Sequence, residues 1–295
     1  MGSTENNSEL NDSRTLAGKI CMVTGATTGI GKVTATALAS LGAHIVITGR
    51  NFQKTKKSAH QIISETENKS VDCLIADYAD LQQVRDLAAE FKSRYSRLDV
   101  LVNNVGAFFN TRKLTSDGVE MTFQVNHLSP FLLTNLLLEN LQSGEPARIV
   151  NVSSDAHKQG NMDFDDLGFA NGYFGMKAYG RSKLANILFT YELARRLKDS
   201  NVTVNALHPG HVATDIWKTN FPYIGPLLKW IMSFIALTPE EGADNSIYLA
   251  SSPEIEGTTG KYFVKREAVE SSPLSYNEKI AKRLWEISHS LTESN

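Results

Sequence analysis

Lys19-Ile20-Cys21-Met22-Val23-Thr24-Gly25-Ala26-Thr27-Thr28-Gly29-Ile30-Gly31 is the stretch on which the fold turns. The apolar run Lys19–Thr24 predicts a strand, the glycines after it a tight turn, and the apolar period over Lys32–Leu41 a helix. Glycines at a strand-to-helix turn let the backbone approach a pyrophosphate, which then sits at the helix amino terminus. The spacing is Gly-x-x-x-Gly-x-Gly, not the commoner Gly-x-Gly-x-x-Gly. A glycine-rich turn alone is also an ordinary tight loop. Strand, turn and helix in this order make Gly25, Thr27, Gly29, Ile30 and Gly31 candidate cofactor-binding residues.

Outward from this unit the pattern repeats. Apolar runs at His44–Thr48, Val71–Ile75, Leu98–Val102, Arg148–Val152, Val202–Leu207 and Lys261–Val264 predict six more strands. Helical period fills Leu81–Tyr95, Phe123–Leu141 and Ala178–Leu197. Strands alternating with helices imply βαβ units, hence a parallel sheet covered on both faces. The expectation is an α/β, single-domain Rossmann fold over residues 16–290. Its sheet is doubly wound, parallel and seven-stranded, with helices on both faces. Residues 1–15 read as a disordered polar tail. The segment 216–237 breaks the rhythm with Trp217, Phe221, Tyr223, Trp230 and Phe234, and reads as an insertion that covers the substrate.

Across 295 residues the net charge is −2, with no basic cluster to suggest nucleic acid. The two cysteines, Cys21 and Cys73, are far apart and near no ligand cluster, so neither a disulfide framework nor a metal site is expected. The polar start carries no secretory h-region, and no stretch approaches the roughly 18 apolar residues of a spanning helix. These features point to a cytoplasmic protein, with peripheral membrane contact through the greasy insertion as a further option.

Arg50 follows the second strand, where an NAD site usually places an acid for the ribose 2′-hydroxyl and an NADP site a base for the 2′-phosphate. No Asp or Glu lies between Leu41 and Ser64, so NADP(H) is the expected cofactor. Tyr179-Gly180-Arg181-Ser182-Lys183 opens a strongly amphipathic helix, and an i, i+4 pair shares one face. A free tyrosine has a pKa of about 10, and positive charge beside it favours the phenolate. Lys183 is therefore expected to bring Tyr179 toward the working range of a general acid/base. Tyr173 and Lys177 form a second copy of this spacing beside Gly172 and Gly175, where a helix is not expected. Asp77, Asn103-Asn104, Ser153-Ser154, Pro209-Gly210 and Thr214 all fall beyond carboxyl ends of strands, where sites on such sheets lie.

Together these residues resemble the short-chain dehydrogenase/reductase family over nearly the whole chain. The marks are Thr-Gly-x-x-x-Gly-Ile-Gly, Asn-Asn-x-Gly after strand four, Asn126, Ser154, Tyr-x-x-Ser-Lys and Pro-Gly. The resemblance implies that Tyr179 exchanges the proton with the substrate oxygen and Ser154 orients that oxygen. It implies that Lys183 binds the nicotinamide ribose and that Asn126 holds a water leading from Lys183 to solvent. Asp77 would contact the adenine, Asn104 the adenosine ribose and Thr214 the carboxamide. Val105 stands where the family usually has Ala.

Val152-Ser153-Ser154-Asp155-Ala156-His157, Ser182-Lys183-Leu184-Ala185-Asn186 and Gly260-Lys261-Tyr262-Phe263 are similar to the retinol dehydrogenase-like branch. That branch implies NADP(H) and a hydrophobic alcohol, aldehyde or ketone, with Phe108, Trp217 and Phe221 as candidate substrate contacts. The amino-terminal anchor of many animal members is not seen, which leaves the retinoid substrate open. The oligomeric state is open too, a homodimer being one option. Two rival readings are an NADPH-dependent C=C reductase and a non-catalytic NADP(H)-binding regulatory protein. The first lacks the cysteines its relatives carry, and all four catalytic positions are filled against the second.

Overall fold

The computed structural model describes residues 15–143, 146–210 and 237–293. The expected strands form as β1 (Ile20–Val23), β2 (His44–Gly49), β3 (Val71–Ile75), β4 (Val100–Asn103), β5 (Ala147–Val152), β6 (Val202–His208) and β7 (Tyr262–Val264). All seven pair in parallel, in the order β3-β2-β1-β4-β5-β6-β7. The order reverses between β1 and β4, and the crevice outside the carboxyl ends of the strands at that switch is where ligands bind on such sheets.

An eighth strand, β8 (Glu267–Val269), pairs antiparallel with β7 and corrects the expected count of seven. The sequence hides it, because a two-residue hairpin turn normally advertises itself with Asn-Gly or Asp-Gly. Here Lys265 and Arg266 take the left-handed conformation, with φ of 51° and 66°. The chain holds them there through Arg266, whose guanidinium pairs with Asp244 and whose N–H reaches Asn245 Oδ1 at 3.1 Å.

Side chains alternate between the two faces of the sheet. Cys21, Val23, Val100, Val102, Val150 and Val152 pack beneath α1 (Gly29–Ser40), α2 (Phe52–Thr66) and α7 (Pro239–Ser251). Met22, Leu101 and Ile149 pack beneath α3 (Leu81–Arg94), α4 (Ser129–Leu136) and α6 (Gly175–Arg196). Both faces are buried, which is why these strands read as continuous apolar runs. A last helix, α8 (Glu278–Glu293), lies on the outer side of α6 through Ala281 and Leu284.

The helix expected over Phe123–Leu141 is broken. A turn at Met121–Phe123 leads into a widened π-helical turn, Gln124–Leu128, before α4, and a short α5 (Leu138–Gln142) follows. Turns of this kind are rare and concentrate at functional sites; this one carries Asn126.

Candidate active site

The glycine turn is built for close approach. Gly25 and Gly29 have φ of 65° and 57°, which other residues adopt only at a cost. A side chain on Gly31 would run into the Asn104 amide and come within 2.7 Å of the Gly25 carbonyl oxygen. A side chain on Gly29 would meet nothing within 4 Å, so the turn is tight on its protein side and open on the other. Thr28, at the N-cap of α1, makes no side-chain cap bond, and the first turn carries no acid. Its uncapped N–H donors suit an anion. The residues present therefore fit a pyrophosphate.

Around the turn, Asn104 donates its amide to the carbonyl of Thr24 at 2.8 Å and of Gly25 at 3.3 Å. Its side chain is thus brought to the glycine turn itself. Asp77 sits at the end of β3 and accepts from the Ala79 N–H at 3.0 Å. Arg50 follows β2 and is exposed. Thr27 packs against Gly49, where an added Cβ would come within 2.6 Å of its methyl group.

Tyr179 and Lys183 occupy one face of the first turns of α6, with the Lys183 Nζ 5.6 Å from the centre of the Tyr179 ring. Lys183 is 3% exposed and donates to the Val152 carbonyl at 3.0 Å. An ammonium has three donors, and among the described residues Val152 takes one, which leaves two for a ligand. Burial brings its pKa down to about 8. Tyr179 moves the opposite way from the expectation. Burial pushes its phenol up to about 12, with the Ser154 hydroxyl opposing the rise. The Lys183 ammonium stands 5.6 Å from the ring centre, and desolvation is the larger effect in the protein alone.

Ser154 begins the single-turn helix Asp155–Gln159, and its hydroxyl accepts the Ala156 N–H at 3.2 Å. That turn rests directly on α6. A Cβ on Gly180 would sit 2.8 Å from the Ala156 carbonyl oxygen, and one on Gly160 2.5 Å from the Gly180 carbonyl. This seam sets Ser154 against Tyr179. Neither glycine is marked by the sequence reading, although Gly180 lies inside the Tyr179–Lys183 motif.

Asn126 is fully buried. Its Oδ1 accepts the Ala107 N–H at 2.7 Å, and its Nδ2 donates to the Ala107 carbonyl and the Ser182 hydroxyl, each at 2.9 Å. The π-helical turn thereby ties the loop after β4 to α6. Gly106 in that loop faces both groups, since a Cβ there would lie 3.4 Å from the Lys183 Nζ and 3.8 Å from the Asn126 Oδ1.

Phe108 is buried and meets the Tyr179 ring edge-on at 5.9 Å, so it backs the tyrosine. Tyr173 lies before α6 begins. Its hydroxyl donates to the Phe109 carbonyl at 3.0 Å and also lies within hydrogen-bond reach of Glu120 and Thr122. Lys177 is exposed, so the second Tyr-x-x-x-Lys copy does not converge. Thr214, Trp217, Phe221 and nearly all of the 216–237 insertion lie outside the described residues. Among the described residues no helix is long and apolar enough to cross a membrane.

Comparison with known proteins agrees with this geometry. The family model for short chain dehydrogenase matches residues 19–223. Human retinol dehydrogenase 14 is 44% identical over 92% of this chain and 85% of its own length. Human polyprenol dehydrogenase is 41% identical over 93% of this chain and 85% of its own length. A solved protein from Mycobacterium paratuberculosis superposes with a TM-score of 0.76 at 32% identity, covering 94% of both chains. The complex of Pseudomonas aeruginosa RhlG with NADP gives 0.70 at 27% identity, over 85% of this chain and 96% of that one. The chain belongs to the short-chain dehydrogenase/reductase family of oxidoreductases, within its retinol dehydrogenase-like branch.

Proposed function

We propose that the chain is an NADP-dependent oxidoreductase that interconverts a hydrophobic alcohol and its aldehyde or ketone, with Tyr179 as the acid/base. The observation that carries this reading is the meeting of Tyr179, Lys183 and Ser154 at the sheet edge where the glycine turn opens. The names of its relatives, retinol and polyprenol dehydrogenases, support an apolar alcohol or carbonyl substrate.

In this reading the glycine turn and the amino terminus of α1 hold the pyrophosphate, Arg50 the 2′-phosphate and Lys183 the nicotinamide ribose. When bound, NADP(H) supplies or accepts the hydride. Ser154 hydrogen-bonds and orients the substrate oxygen, and Tyr179 gives that oxygen its proton or takes it away. At neutral pH burial keeps Tyr179 as the phenol while Lys183 is largely the ammonium. That protonation state is the one carbonyl reduction requires.

The test is a panel of retinoid, steroid, long-chain and aromatic carbonyl compounds with NADPH, followed by product analysis. Alcohol products support the reading. Saturated carbonyl products from enones would replace it with C=C reduction, and failure to consume NADPH with any of them would leave a cofactor-binding protein. Arg50→Asp should lower the preference for NADPH over NADH, measured as the ratio of kcat/KM values, by about tenfold or more. A charge-assisted contact is worth about 1.5–3 kcal/mol, and 1.4 kcal/mol is tenfold. An unchanged ratio would take Arg50 out of the phosphate site.

A further inference from the structure

Directly behind Ser154 lies a histidine with no place in the chemistry above. His157 is fully buried, on the single-turn helix that Ser154 begins. Its Nδ1 lies 2.7 Å from the Ser154 carbonyl oxygen, and its Nε2 lies 3.0 Å from the Ser272 backbone nitrogen. One ring nitrogen thus faces an acceptor and the other a donor. Both bonds exist together only in the neutral ring that carries its proton on Nδ1. The Tyr262 ring closes one side edge-on at 5.0 Å. Burial lowers the His157 pKa, Lys158 adding to the effect while the Ser154 carbonyl and Asp155 oppose it.

Ser272 does not hang from a loose tail. Next to it, the Ser271 hydroxyl lies 2.7 Å from the Tyr191 hydroxyl on α6 and 2.6 Å from the Ser275 hydroxyl. The Ser275 hydroxyl in turn donates to the Ser272 carbonyl at 2.6 Å. The chain segment after β8 therefore grips α6 about two turns beyond Lys183 and reaches the Ser154 turn through the His157 imidazole.

We propose that His157 is a positioning residue: its imidazole bridges the Ser272 N–H to the Ser154 carbonyl and so holds the Ser154 hydroxyl in register with Tyr179. The proposal rests on Ser154 orienting the substrate oxygen, as in the function proposed above. Within the turn the His157 backbone N–H also reaches the Ser154 carbonyl, at 3.0 Å, and the Ser154 hydroxyl accepts the Ala156 N–H at a long 3.2 Å; the imidazole adds the link from that carbonyl to the segment after β8. A ring that only filled space would need no particular tautomer. It would also cost rate only as far as it cost stability.

The full chain, labelled with ¹⁵N-histidine, gives the first readout, with the His157 signals assigned by their loss in His157→Leu. At pH 7 the ring should carry its proton on Nδ1 and leave Nε2 bare; an Nε2–H ring or an imidazolium would overturn the bridge. Kinetics give the second. With NADPH and the best aldehyde of the panel, His157→Leu should lose about tenfold or more in kcat with KM within a few-fold, the signature of misplacement. His157→Asn, whose amide nitrogen stands close to Nδ1, should recover most of that loss; His157→Gln, which mimics only Nε2, should recover less. If Asn is as slow as Leu, or if the losses in all three follow their melting temperatures, the positioning role falls. Should the parent turn over no carbonyl compound at all, the proposed function fails, while the ring spectrum still decides whether the bridge exists.

Discussion

Tyr179→Phe should slow turnover by about 10²–10⁴-fold, the usual worth of a positioned general acid, and leave NADPH affinity within a few-fold of the parent. The substitution removes one oxygen and little else. Phe108 still backs the ring, and Ser154 keeps its bond from the Ala156 N–H, so neither neighbour is left stranded. Quenching of protein fluorescence by NADPH measures affinity, and NADPH consumption measures turnover. A Phe variant with parental rate would remove Tyr179 from the chemistry. The pH dependence of the parent offers a second reading of the same residue. Desolvation pushes its phenol up to about 12 in the protein alone, so the reduction rate should vary little between pH 6 and 7.5. Alcohol oxidation needs the phenolate, whose population grows tenfold per pH unit below that pKa. Its rate should therefore climb with pH across the same range. An oxidation rate flat in pH would show that another group takes the proton.

The frame of the molecule was legible because its signals are local. β1, the glycine turn and α1 are contiguous, and each of the seven parallel strands is an apolar run bounded by turn residues. Buried on both faces, these strands need no alternation to be recognised. What stayed hidden depends on long-range partners. β8 forms on a turn of Lys265 and Arg266 because Asp244 and Asn245 hold it, and nothing near that turn announces the bond. The π-helical turn at Asn126 depends on the Ala107 backbone and on Ser182, 19 and 56 residues away. At the candidate site, Tyr179 and Lys183 could be paired from their spacing alone. The direction of the tyrosine shift could not, because it depends on how far each group is desolvated. His157 offers the sharpest contrast. It stands three residues from Ser154, yet its partner Ser272 is 115 residues away, so its sequence surroundings mark it only as the end of a stretch similar to the retinol dehydrogenase-like branch.

Gly180→Ala should lower kcat by about 10²-fold with little change in NADPH affinity, although alanine is the better helix former by about 1 kcal/mol. Propensity alone would make this variant more stable and no less active. The added methyl, however, would stand 2.8 Å from the Ala156 carbonyl oxygen and 3.4 Å from the Gly160 nitrogen. Both are backbone atoms, so no side chain can rotate away, and the turn that begins at Ser154 must move off α6. Ser154 and Tyr179 lie on opposite sides of this seam. A shift that parts them costs the oriented substrate oxygen, while the glycine turn that holds the cofactor lies elsewhere. Gly160→Ala strains the same seam from the other wall, its Cβ falling 2.5 Å from the Gly180 carbonyl oxygen and 2.9 Å from the Leu184 Cβ. Once one substitution has opened the gap, the second should add little. The double variant should then fall well short of the product of the two single losses, the non-additivity expected of residues in contact. Parental kcat in Gly180→Ala, or fully multiplicative losses in the double variant, would show that the Ser154 turn takes its position from somewhere other than α6.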